Sequence, residues 1–191
     1  MSWLIPRTEL TPDQIRAIEL SPNEPCAISG GPGSGKTQIL LHRARYLADC
    51  FGVSNDRFRI FVYTNVLKDY IRSALSLLRL SEDTVLTFDH WCRLFYEEHV
   101  HPQLPWDAFK HQPDFAAVRQ AVLRQVISAR VRLPLYDFVL VDEAQDLSED
   151  AFRILSRIAA HVTVCIDNKQ QIYEHGSSED TILGILGLHR H

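Results

Sequence analysis

The chain has 191 residues, 46% of them hydrophobic, and a formal net charge of -4. That length suits one compact domain burying roughly 70% of its unfolded surface. No uninterrupted apolar run reaches the about 18 residues of a membrane span, and the opening MSWLIPRTEL lacks the basic start and apolar middle of a signal peptide. The expectation is therefore a soluble cytoplasmic protein with no membrane partner, and the acidic balance confines any nucleic-acid binding to a local surface.

In chain order, Thr11-Pro12-Asp13-Gln14 opens the first helix as a capping box, with Thr11 as N-cap and Gln14 returning to the cap amide. Residues 26–29 then read as a short buried strand. The following GGPGSGKT holds four of the eight glycines, Gly30, Gly31, Gly33 and Gly35, within six residues. Gly30, Gly35, Lys36 and Thr37 match G-x-x-x-x-G-K-[ST] between a strand and a helical run at 36–49, the setting of a phosphate-binding loop. Glycines there let backbone N–H groups face phosphate oxygens, Lys36 adds a point charge for the outer phosphates, and the Thr37 hydroxyl suits Mg²⁺.

Strands at 59–64 and 84–86 alternate with helices at 66–78 and 88–99, and a further helix at 115–130 carries Phe115, Val118, Val122 and Val126 at helical spacing. A strand at 138–142 delivers Asp142 and Glu143 at its end in YDFVLVDEAQD, a helix follows at 147–159, and the last strand covers 162–167. Alternating strands and helices predict an α/β fold: a three-layer P-loop NTPase with a mostly parallel central sheet of about five strands flanked by helices. Ligands of such sheets bind beyond the strands' carboxyl ends, which places the two acids beside the phosphate loop. Asp142 suits the Mg²⁺ shell and Glu143 a base that activates water, so nucleotide hydrolysis is the leading chemistry.

The four cysteines form no C-x-x-C pair, and His90, Cys92, His99 and His101 match no familiar zinc spacing. Arg119, Arg124, Arg130 and Arg132 form a basic stretch that reads either as a phosphate contact or, by default, as a solvated helix face. A small-molecule kinase is disfavoured, because no compact Arg-rich lid follows the second half of the sheet.

Taken together, GPGSGKT, VDEAQD and CIDNKQQIY resemble superfamily 1 DNA helicases of the UvrD/Rep/PcrA type, specifically their first RecA-like domain. LTPDQIRAI looks like that family's Q motif, VYTN like motif Ia and TFDHW like motif Ib. The resemblance implies that Gln14 reads adenine and that Gly30, Gly31, Pro32, Gly33, Ser34, Gly35, Lys36 and Thr37 hold the phosphates of ATP. It further implies that Thr37 and Asp142 bind Mg²⁺, Glu143 serves the attacking water, Asp167 belongs to the nucleotide site and Gln170 senses the γ-phosphate. Thr64, Asn65, Thr87, Phe88, His90 and Tyr173 would lie along single-stranded DNA, RNA being the alternative. Three bland readings stand beside these: Gln14 as a cap alone, Phe88 as core and Asp167 as a polar strand end.

After Tyr173 the chain departs from the family pattern with Glu174, His175, Gly176, Ser177 and Ser178, leaving one DNA-stacking contact without its residue. The segment 93–135 is expected to be a reduced helical insertion in place of a larger accessory subdomain. Residues 1–191 then form a single RecA-like domain, with the second RecA-like domain and its arginines absent. The expected function is ATP·Mg²⁺ binding with weak turnover unless a second domain is supplied. A non-catalytic, ATP-responsive binding module acting through a partner is the alternative.

Overall fold

The computed structural model describes residues 3–128, 130–167 and 178–188. The strands β1 (Cys26–Gly30), β2 (Phe58–Val62), β3 (Val85–Thr87), β6 (Tyr136–Val141) and β7 (Ala159–Asp167) form one parallel sheet in the order β1-β7-β6-β2-β3. β4 (Trp106–Asp107) and β5 (Gln112–Pro113) form a small antiparallel hairpin. The helices are α1 (Pro12–Ile18), α2 (Lys36–Phe51), α3 (Asn65–Leu75), α4 (Phe88–His99), α5 (Phe115–Ile127), α6 (Glu149–Ile158) and α7 (Glu179–Leu186). Among the described residues, no helix is long and apolar enough to cross a membrane.

Parallel pairing requires crossover helices, and these cover both faces of the sheet, which is why its strands read as apolar without polar alternation. Along β6, Phe138 and Leu140 pack with the core on the side of α2 and α3, whereas Val139 and Val141 pack with the core under α4, α5 and α6. The expected α/β architecture with five parallel strands is the one observed, with boundaries shifted by a few residues. The helix expected from 147 begins at Glu149, because Ser148 takes an extended N-cap conformation.

Two elements escaped the sequence reading. In the β4–β5 hairpin, Asp107 Oδ1 accepts hydrogen bonds from the backbone N–H groups of Phe109 (3.0 Å) and Lys110 (3.1 Å), an Asx turn that sets the loop. α7 starts at a Ser178 cap, with the acids Glu179 and Asp180 in its first turn.

One interior cation shapes the region behind the phosphate loop. Arg43 of α2 is fully buried, and its guanidinium donates to Thr163 Oγ1 at 2.9 Å, Ile18 O at 2.9 Å and Leu20 O at 2.8 Å. It therefore ties the chain leaving α1 to both α2 and β7. Burial pulls its pKa below the usual arginine value.

Candidate nucleotide site

The loop between β1 and α2 is built on backbone that other residues tolerate poorly. Gly33 and Gly35 have φ of +77° and +83°, a region that costs a residue with Cβ about 1–2 kcal/mol. At Gly30 the constraint is space, since a Cβ there would meet Ser34 Oγ at 2.6 Å. The turn is closed by Ser34 N–H donating to Gly31 O at 3.2 Å, with Pro32 exposed between them. Lys36 is 7% exposed, and its ammonium donates to Gly30 O (2.9 Å), Gly31 O (3.1 Å) and the Asp167 carboxylate (3.3 Å). A buried ammonium is thus held at the centre of the loop by two carbonyls and an acid at the end of β7.

Gln14 does both things asked of a capping residue. Its Oε1 accepts from Thr11 N–H at 2.9 Å, and its own N–H donates to Thr11 Oγ1 at 3.3 Å. Its Nε2 donates to Ser34 O at 3.3 Å, so the cap also braces the phosphate loop. A side chain at Gly35 would bring its Cβ to 2.8 Å from that same nitrogen.

The acids arrive from β6. Asp142 is 1% exposed; its N–H donates to Phe61 O at 3.0 Å, extending the β2–β6 ladder by one bond. Asp142 Oδ2 accepts from the Thr37 hydroxyl at 2.7 Å, and Oδ1 accepts from Glu143 N–H at 3.1 Å. Thr37 and Asp142, 105 positions apart in sequence, therefore present a hydroxyl and a carboxylate side by side. Hard oxygen donors of this kind suit Mg²⁺, and the glycine cradle fits phosphate oxygens.

Burial, with the Glu143 charge adding to it, raises the Asp142 carboxyl from 3.8 to about 6, against the opposing Thr37 hydrogen bond. The sign follows from linkage. The folded state holds this proton up to about pH 6 while the unfolded chain releases it near 3.8, so this group's contribution to stability is present below 3.8 and is lost as pH rises to about 6. A bound divalent cation requires the ionised form and reverses that loss. We expect the Mg²⁺-dependent part of ATP affinity, measured by titration calorimetry from pH 5 to 8, to fall by about tenfold per unit below pH 6. A flat profile across that range excludes Asp142 from the cation's shell.

Glu143 adopts φ 49° and ψ 49°, a left-handed conformation rare for a side chain of its kind. It is followed by a single 3₁₀ turn, Ala144–Asp146, whose Gln145 is 3% exposed. Gln145 Nε2 donates to Glu143 Oε2 at 2.7 Å, and Gln145 Oε1 accepts from Asp167 N–H at 3.1 Å. Strained backbone of this sort persists where surrounding structure enforces it, and it clusters at functional sites.

A family model described as an AAA domain, AAA_19, matches residues 14–176, which covers the loop, both acids and most of the chain. The chain belongs to the AAA_19 family. This is a P-loop NTPase domain found in UvrD/Rep-like helicases. No curated protein matches the chain.

The described residues expected to meet nucleic acid lie at the carboxyl ends of β2 and β3 of the AAA_19 domain, and of these Phe88 is turned into the core. Thr64 Oγ1 caps α3 by accepting from Leu67 N–H (3.1 Å), and Thr87 Oγ1 caps α4 by accepting from His90 N–H (3.3 Å). Asn65 Oδ1 accepts from Lys68 Nζ at 2.9 Å, and His90 is exposed. Phe88 is core: it is 2% exposed, edge-on to Phe61 at 5.5 Å and stacked on Trp91 at 6.0 Å, so its ring is not offered to a base. The exposed aromatic is Tyr63, at 55%, which sequence reasoning passed over. It sits at the rim of a cleft of about 210 Å³ lined also by Asp89, Arg119, Asp146 and Ser148. Arg119, read as part of a basic stretch, donates to Asp89 at 2.6 Å across this cleft. Gln170 and Tyr173 lie outside the described residues.

Gln145 is the other residue the sequence reading missed. Its position three after Asp142 in VDEAQD is a weak sequence signal, and its contact with Asp167 becomes visible only once β6 and β7 lie side by side.

Proposed function

We propose that this AAA_19 domain binds ATP·Mg²⁺, hydrolyses it slowly by itself, and works as the ATP-binding part of a UvrD-like helicase or translocase in the cytoplasm. The observation that carries the reading is the Thr37 hydroxyl at 2.7 Å from Asp142, which joins the phosphate loop to the acidic strand end in one oxygen-donor pair. Mg²⁺ bound there would offset the charge of the outer phosphates. Phosphate oxygens then replace the Gly30 and Gly31 carbonyls and the Asp167 carboxylate as acceptors for Lys36, and backbone N–H groups of the loop supply the remaining donors. Glu143, one residue beyond the cation ligand, takes the proton of the attacking water.

Fast turnover in this reading is completed by a second RecA-like domain, in cis or in trans. An arginine delivered across such a cleft is worth about 10³–10⁵ in rate in related P-loop enzymes. The segment 93–135 holds the end of α4, the β4–β5 hairpin and α5, and we read it as a reduced accessory insertion.

Single-stranded DNA is proposed to cross the ends of β2 and β3, with Tyr63, Asn65 and His90 as the side chains offered to it. Exposure of an aromatic ring at that edge supports the reading, because base stacking on such a ring contributes about 1–3 kcal/mol. Tyr63→Ala is expected to weaken binding of a fluorescent oligothymidylate by about 5- to 100-fold in an anisotropy titration. Titration calorimetry of ATP with and without Mg²⁺ tests the nucleotide reading directly, and absence of Mg²⁺-dependent binding by the folded chain refutes it.

A further inference from the structure

We propose that Gln145 is a positioning residue: it holds the Glu143 carboxylate in place for water attack and ties it to the end of β7. The inference rests on the reading of Glu143 as the base, and it follows from how the Gln145 amide is used. Both ends of that amide are committed while the side chain is buried, one as donor to Glu143 Oε2 at 2.7 Å and the other as acceptor from Asp167 N–H at 3.1 Å. The same Asp167 places its carboxylate 3.3 Å from the Lys36 ammonium. A continuous chain of contacts therefore runs from Lys36 through Asp167 and Gln145 to Glu143.

The chemistry explains why glutamine fits. A glutamate side chain has several rotors, and an ionised carboxylate accepts but does not donate, so only a fixed donor can select one of its positions. An amide gives that donor without adding charge, and its oxygen accepts from the buried backbone N–H of Asp167. Lysine or arginine would fix the carboxylate too, but would place a second cation in the site and, having no acceptor, could not take the Asp167 N–H bond that Gln145 Oε1 accepts. The left-handed backbone at Glu143 turns the chain so that residues 143 and 145 meet.

Two substitutions separate positioning from simple support of the fold. Gln145→Glu keeps an oxygen for Asp167 N–H but sets a carboxylate against Glu143 in place of the donor. Gln145→Met has similar length and loses both bonds. The measurements are ATP affinity by titration calorimetry and the single-turnover hydrolysis rate with the full chain in excess over ATP·Mg²⁺.

We expect Gln145→Glu to bind ATP within about twofold of the parent and to lower the single-turnover rate at least tenfold, with a loss of similar size for Gln145→Met. In a Glu143→Gln background, Gln145→Glu should change the rate by less than about twofold, because the group it positions is gone. An unchanged rate in Gln145→Glu, or an equal loss in the two backgrounds, overturns the proposal while leaving the base role of Glu143 intact. A parent protein that binds no ATP, or a Glu143→Gln variant with the parent's rate, overturns the underlying reading and the proposal with it.

Discussion

Glu143→Gln is expected to lower the single-turnover rate of ATP hydrolysis by about 10²–10⁴ while ATP affinity stays within about twofold. Glutamine has the size and shape of glutamate but is neutral and cannot take a proton; the lost charge only eases ionisation of Asp142. Glu143 binds no part of the loop: its carboxylate contacts Gln145, and its N–H contacts Asp142. The Asp142–Thr37 pair that would hold the cation is made by other atoms and survives the change. A rate reduced less than tenfold would show that another group accepts the proton. A matching loss of affinity would instead place Glu143 in binding, and the two outcomes are separated by running calorimetry on the same preparation.

The second large effect concerns the loop cation. Lys36→Met should weaken ATP·Mg²⁺ binding by at least about 100-fold, equivalent to about 2.7 kcal/mol, in line with the loss of charge-assisted contacts to phosphate in a buried setting. Methionine retains much of the aliphatic stem, so packing against the loop is largely kept. The substitution also removes the cation paired with Asp167, a carboxylate only 2% exposed, and breaking a buried pair of this kind typically costs about 3–5 kcal/mol of stability. A lowered melting temperature should therefore accompany the lost affinity. Circular dichroism at the assay temperature shows whether the variant is folded, and full ATP affinity in folded Lys36→Met protein would remove the loop from phosphate binding.

The phosphate loop was legible in the sequence because glycine at fixed spacing has a steric cause that acts locally, as the φ values of Gly33 and Gly35 show. Asp142 and Glu143 were legible because a buried strand ending in acids needs no tertiary information to be placed at the sheet edge. The capping box at Thr11 was legible too, but its second task, bracing Ser34, depends on where α1 lies against α2.

Gln145 was not legible, since one of its partners, Asp167, is brought to it only by the β6–β7 pairing, and its contact with nearby Glu143 depends on the left-handed turn at that residue. The same limit governs Phe88 and Tyr63. In a sheet buried on both faces, apolar content does not say which aromatic turns inward at a strand end, and here Tyr63 follows the last residue of β2 into solvent while Phe88 opens α4 against Phe61. The β4–β5 hairpin escaped because its strands have two residues each, with Pro105 just before the first and Pro113 inside the second reading only as breaks.

Arg43 has a consequence for the energetics of the fold. Its guanidinium meets neutral oxygens of Thr163, Ile18 and Leu20, and among the described residues no carboxylate is paired with it. It lies seven residues along α2 from Lys36, about 10 Å at helical rise. A full positive charge so placed attracts anions at the amino end of α2, and the low dielectric around it lengthens the reach of that attraction. Polyanions drawn to the mouth of α2 would thus feel a hidden positive potential from behind, one that ordinary electrolyte cannot fully quench because ions have no access to its source.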